Sequence, residues 1–136
     1  MTKVVISRFL FDKMISHCRS VYPHEACGLL AGRGGVVEKI YEMTNADRSN
    51  VSYMMDPAEQ FRAMKEMMRE GNRMIAIYHS HPHSPAHPSA KDVDLAFYSD
   101  SLYVIVGLSD FEKPEIRIFE IVEGTVREGM VEVGDL

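Results

Sequence analysis

The stretch Ile77–Asp92, IYHSHPHSPAHPSAKD, constrains this chain more than any other. It overlaps the apolar run Met74–Tyr78 and carries four of the six histidines, namely His79, His81, His83 and His87. An apolar run of this length followed by a proline-rich segment reads as a buried strand. Residues two apart on a strand leave on the same face, so His79 and His81 share one. Two imidazoles side by side there repel when protonated and bury polar nitrogens when neutral, unless something pairs with them. One cation gripped by both resolves the conflict.

A hydrolytic zinc site takes three protein ligands and keeps a further position for water. The third ligand is not a thiolate from downstream, since no cysteine follows Cys27. Asp92 is the candidate. It lies beyond a loop stiffened by Pro82, Pro85 and Pro88, which can return it to the histidines at modest entropic cost. Ser89 and Asp92 also form the Ser-x-x-acid pattern of a helix capping box, and a serine fixed at a helix start can still present its hydroxyl to a neighbouring site. Glu25 is the only charge in the apolar segment Glu25–Gly32 (EACGLLAG). A carboxylate near a dry core needs a partner or a task, which makes Glu25 the candidate general acid/base; the plain alternative is a glutamate solvated just before a strand.

Other residues in these segments carry weaker signals. Cys27 shares the Glu25 face and is expected to be a buried, inert thiol, with approach to the metal as the alternative. His83 and His87 read as loop residues, and Asp94 as solvated.

The 136 residues suit a single domain, 1–136, and 46% apolar with 26% charged residues is the composition of a soluble globular chain. A formal net charge of -5 with no basic stripe argues against nucleic acid as a partner. The longest uncharged apolar run, Leu102–Leu108, is too short to cross a membrane, and charges interrupt the N-terminal segment, which excludes a signal peptide. Two cysteines in a chain with an adequate core point to reduced thiols and a cytoplasmic setting.

Patterning predicts three helices: one capped by Ser7 and ended by Pro23, one capped by Asp56 with Pro57 at its first position and ended at Gly71, and one over Ser89–Tyr98. In the second, Phe61, Met64, Met67 and Met68 mark the expected buried face; in the third, Val93, Ala96 and Phe97. The expected strands are Lys3–Ile6, Glu25–Gly32, Val36–Met43 after an Arg33-Gly34-Gly35 turn, Met74–Tyr78, Leu102–Leu108, Glu115–Val122 and Thr125–Val133. Three helices and about seven strands make a mixed α/β or α+β sandwich.

Glu25, His79-Ser80-His81-Pro82, six intervening residues, Ser89, two more and Asp92 together resemble the Glu…His-x-His-Pro-x6-Ser-x-x-Asp signature of the JAMM (MPN+) metalloproteases, and EACGLLAG resembles a strand of their small bacterial members. The resemblance implies a cytidine-deaminase-like α/β/α fold and a Zn2+ hydrolase. It assigns His79, His81 and Asp92 to the metal, Glu25 to proton transfer, and Ser89 to steadying the oxyanion. It also implies a substrate of the ubiquitin-like or sulfur-carrier class, cut after a Gly-Gly tail. A non-catalytic MPN-like scaffold is the alternative, and the complete ligand set counts against it. Exposed edges of Glu115–Val133 are expected to support a homodimer or to dock an extended tail.

Overall fold

A computed structural model of the chain describes residues 2–135. One sheet runs through it, built from β1 (Lys3–Ile6), β2 (Cys27–Arg33), β3 (Val36–Met43), β4 (Arg73–His81), β5 (Leu102–Gly107), β6 (Glu115–Val122), β7 (Thr125–Glu128) and β8 (Met130–Val133). Their spatial order is β7-β6-β5-β4-β2-β3-β1-β8. The β4–β5, β1–β3 and β1–β8 pairs are parallel and the remaining pairs antiparallel. The Gly34-Gly35 turn joins β2 to β3 with both residues at positive φ, the conformation that a two-residue hairpin turn requires.

Helices cover both faces. Helix α1 (Arg8–Val21), capped by the Ser7 hydroxyl, buries Met14 and Cys18 in a core with Val4, Ile6, Leu30, Tyr78 and Val106. On the opposite face α2 (Pro57–Arg69), capped by Asp56, buries Ala63 and Met67 against Leu29, Ile77 and Ile105. This is the expected α/β/α layering. Central β5 is apolar on both sides because each side faces one of these cores, which accounts for its unbroken apolar run.

Three expectations about elements are corrected. There are eight strands, not about seven, because Gly129 breaks the segment expected as one final strand into β7 and β8, which lie at opposite ends of the sheet. The sheet curls so far that its two ends meet there: the Gly129 amide donates to Ile118 O at 2.8 Å, and Met130 to Thr2 O at 2.8 Å. Strand β6 is paired on both sides, by β5 and β7, so within Glu115–Val133 only β7 and β8, the terminal strands of the order, stand at an edge. A Cβ at position 129 would stand 2.6 Å from Thr2 O. Gly129→Ala should therefore force the seam apart and cost about 1–3 kcal/mol, read as a lower Tm in thermal unfolding; an unchanged Tm would show that the seam yields freely.

The second correction concerns α2, where Phe61 and Met68 are exposed. With Ala63 and Met67 one turn apart on the sheet side, Phe61 lies roughly opposite, beneath the Lys65 ammonium. The third concerns α3, which spans only Ala90–Asp94. Beyond it the Tyr98 backbone amide donates to the Tyr103 hydroxyl at 3.1 Å and the Gln60 side-chain Nε2 to the Tyr98 hydroxyl at 3.2 Å; these tertiary bonds draw the chain off the helix and leave Phe97 exposed. No helix among the described residues is long and apolar enough to cross a membrane.

Candidate metal centre

The end of β4 delivers both histidines to the α2 face, His79 and His81 being buried two residues apart. After His81 the chain turns through the proline-rich loop, held by Ala86 against Gly107 and by the Ala86 amide on Glu115 Oε1 at 3.2 Å. It then re-enters at α3, where the capping box forms as the sequence suggests. The Ser89 hydroxyl accepts from the Asp92 amide at 3.1 Å, and the Ser89 amide donates to Asp92 Oδ2 at 2.9 Å. The cap thereby aims the same Oδ2 at the histidines.

Three donors converge. His79 Nε2 and His81 Nε2 stand 3.1 Å apart, and Asp92 Oδ2 lies 3.3 Å from the first and 3.0 Å from the second. His81 Nδ1 donates to Pro85 O at 2.8 Å, so neutral His81 presents a lone pair at Nε2. That lone pair faces a second imidazole nitrogen and a carboxylate oxygen, an arrangement that requires a proton or a cation between them. Three ligands of one tetrahedral ion, each about 2.0–2.1 Å from it, stand about 3.3 Å from one another. The observed triangle fits such an ion with little adjustment.

Charge in the site follows from burial and these contacts. Burial works against the Asp92 carboxylate, yet its hydrogen bonds with His79 and His81 hold it well below the usual carboxylate range. Burial keeps His79 below the ordinary imidazole value. It pulls on His81 too, but the hydrogen bonds to Asp92 and Pro85 prevail and the net direction is up.

Glu25 reaches the site from the chain just before β2. Cys27 pairs with His79 in the antiparallel ladder, and the ladder continues through the Ser80 amide on Ala26 O at 3.0 Å and the Ala26 amide on the Ser80 hydroxyl at 2.8 Å. Glu25 precedes this last bond and stands near enough to His81 and Asp92 for their charges to act on its carboxyl. The strand starts at Cys27 rather than at Glu25, because the Glu25 backbone bonds to a neighbouring loop: its amide donates to Ser49 O at 2.7 Å and its carbonyl accepts from Asn45 at 2.9 Å. Glu25 is 4% exposed, so it is not a solvated flanking residue. Burial pushes its carboxyl up to about 7, and Oε1 has no hydrogen-bond partner. A buried acceptor left free is poised to take a proton.

The structure therefore gathers His79, His81 and Asp92 into one group, with Ser89 bonded to Asp92 and Glu25 near enough to feel the charges of His81 and Asp92. Cys27 stays outside the converging group; it is fully buried, and burial raises its thiol to about 12, an inert group. His83 and His87 are also outside, His83 against Tyr22 and His87 edge-on to Phe119. Asp94 is exposed. Sequence reasoning missed Tyr53, whose ring stacks on the His79 imidazole with centroids 4.6 Å apart and planes at 24°. Beside Asp92 opens a cleft of about 330 Å³, walled by Tyr53, Met54, Ile77, Lys91, Leu95 and Phe97.

Over residues 7–122 the sequence matches the family described as prokaryotic homologs of the JAB domain. The chain belongs to that family. A JAB relative in Mycobacterium tuberculosis, a CysO-cysteine peptidase, is 40% identical over 132 residues, covering 96% of this chain and 90% of the relative. A probable TtuB-protein conjugate cleaving protease from Thermus thermophilus is 36% identical over 120 residues, covering 88% of this chain and 76% of the relative. The solution structure of a protein from Desulfitobacterium hafniense shares the JAB architecture seen here, with a TM-score of 0.89 at 37% identity over 98% of this chain and 94% of that one.

Proposed function

We propose that this JAB protein is a zinc-dependent peptidase or isopeptidase that cuts the bond after the C-terminal Gly-Gly tail of a ubiquitin-like or sulfur-carrier protein. One observation carries the reading: His79, His81 and Asp92 converge on a point while Glu25, buried and with a free Oε1, stands close enough for the charges of His81 and Asp92 to act on its carboxyl. Relatives named for a CysO-cysteine bond and for a TtuB-protein conjugate support the substrate class.

In this reading His79, His81 and Asp92 hold Zn2+, which when bound polarises the scissile carbonyl and acidifies water. Glu25 accepts the proton of the attacking water at its unpartnered Oε1 and returns it to the leaving amine. The Ser89 oxygen already accepts from the Asp92 amide, which leaves its O–H to donate to the carbonyl oxygen as negative charge develops there. Tyr53, stacked on His79, shields the imidazole from water on that side. The adjacent cleft is open to an extended tail. Cys18 and Cys27 lie in the two different cores on opposite faces of the sheet and remain thiols, which suits a reducing cytoplasm. The complete set of donors weighs against a non-catalytic scaffold.

The test is cleavage of a carrier-protein fusion extended beyond its Gly-Gly tail. Purified protein should release the extension, a chelator should stop it, and added Zn2+ should restore it. Cleavage that persists under exhaustive chelation would exclude the metal-dependent reading.

A further inference from the structure

Both main-chain groups of Glu25 are held by the loop 45–55. That loop is pinched at its neck: Asn45 bridges Met55, the Ala46 amide donates to Met54 O at 2.7 Å and the Asp56 amide to Thr44 O at 3.1 Å. Glu59, in the first turn of α2, clamps the Thr44 amide and hydroxyl at 2.6 and 2.8 Å. At the hub is Asn45, a polar residue only 6% exposed whose hydrogen-bonding capacity is fully used. Its Nδ2 donates to Glu25 O at 2.9 Å and Ser52 O at 3.0 Å, and its Oδ1 accepts from the Asp47 amide at 3.0 Å and the Met54 amide at 3.1 Å. Two carbonyls on one side and two amides on the other fix the orientation of the carboxamide.

We propose that Asn45 is a positioning residue for Glu25, fixing where the carboxyl stands relative to the two histidines; this rests on the reading of Glu25 as the proton carrier. The ladder between β2 and β4 reaches only Ala26, so Glu25 sits one residue past the last ladder bond and needs an external anchor. Asn45 supplies that anchor at the Glu25 carbonyl, and Ser49 in the same loop supplies it at the amide. The loop also carries Tyr53, stacked on His79. A displaced Glu25 would leave substrate binding intact and slow the proton transfer.

The experiment is Asn45→Ala, assayed on the zinc-loaded protein with a carrier fusion. The expected result is a loss in kcat of about 10–100-fold, the cost of a misplacement of order 1 Å, with KM and zinc stoichiometry unchanged. Combining it with Glu25→Gln should give a variant no slower than Glu25→Gln alone, because the effect passes through Glu25. Unchanged kcat, a parallel loss of zinc and KM, or a double variant slower than Glu25→Gln would overturn the proposal. Should Asn45→Ala fail to fold, hydrogen exchange of the unsubstituted protein decides. The Glu25, Asp47 and Met54 amides should be protected as one group, and a Glu25 amide that exchanges independently overturns the assignment. A fully active Glu25→Gln variant would instead strike at the role of Glu25 itself, a separate result.

Discussion

Glu25→Gln should bind Zn2+ at the same stoichiometry as the unsubstituted chain and lose about 10²–10⁴-fold in turnover, the range that a positioned general acid/base contributes. The substitution keeps the volume and leaves intact the backbone bonds to Ser49 and Asn45, so the fold and the three converging donors are undisturbed. What disappears is an acceptor able to hold a proton between the attack of water and the departure of the amine. The pH profile gives an independent check. Burial raises the Glu25 carboxyl to about 7, and a bound cation nearby would draw it back toward the ordinary glutamate value. The acting form is the carboxylate. Activity of the unsubstituted chain should therefore fall as pH drops through the interval between about 4.5 and about 7, and the residual activity of Glu25→Gln should lack that limb. Full turnover in a zinc-loaded Glu25→Gln variant would remove Glu25 from the chemistry.

What the sequence disclosed was set by how local each feature is. His79 and His81 share a face because a strand repeats every two residues, and the cap at Ser89 needs only residues three apart, so both were legible. The role of Glu25 was not decidable locally: whether it is solvated or buried depends on Asn45 and Ser49, about twenty residues away, whose loop holds its backbone. Tyr53 carried no signal, because stacking on His79 requires the loop between β3 and α2 to fold back over β4. His17 shows the same limit. It lies on the apolar face of α1 beside Cys18, buried by a 2.6 Å hydrogen bond to Tyr78 from the middle of the sheet. The division of the last strand at Gly129 was hidden for another reason: alternation records which face a residue takes, not which neighbour it pairs with, and the curl of the sheet changes only the neighbour.

Asp92→Asn separates the metal from the fold. The amide side chain has the shape of the carboxylate and keeps an oxygen for the Ser89 amide, so α3 should remain capped. It lacks the negative charge that His79 and His81 now hold strongly ionised. With two neutral imidazoles and a neutral amide, the site loses its only anionic donor. Zinc affinity should then fall by at least about 100-fold, since disturbing a group that merely orients a ligand already costs about 10–100-fold. The measurement is competition against a chromogenic chelator, paired with thermal unfolding at fixed zinc concentration. A ligand that binds only the folded state raises Tm by mass action, so the unsubstituted chain should gain stability on adding Zn2+ while Asp92→Asn gains none. Peptidase activity should be lost in parallel and should partly return at high zinc, which a collapsed fold could not produce. Equal zinc affinity in the two proteins would mean that Asp92 Oδ2 is not a ligand and that its closeness to the histidines serves only to cap α3.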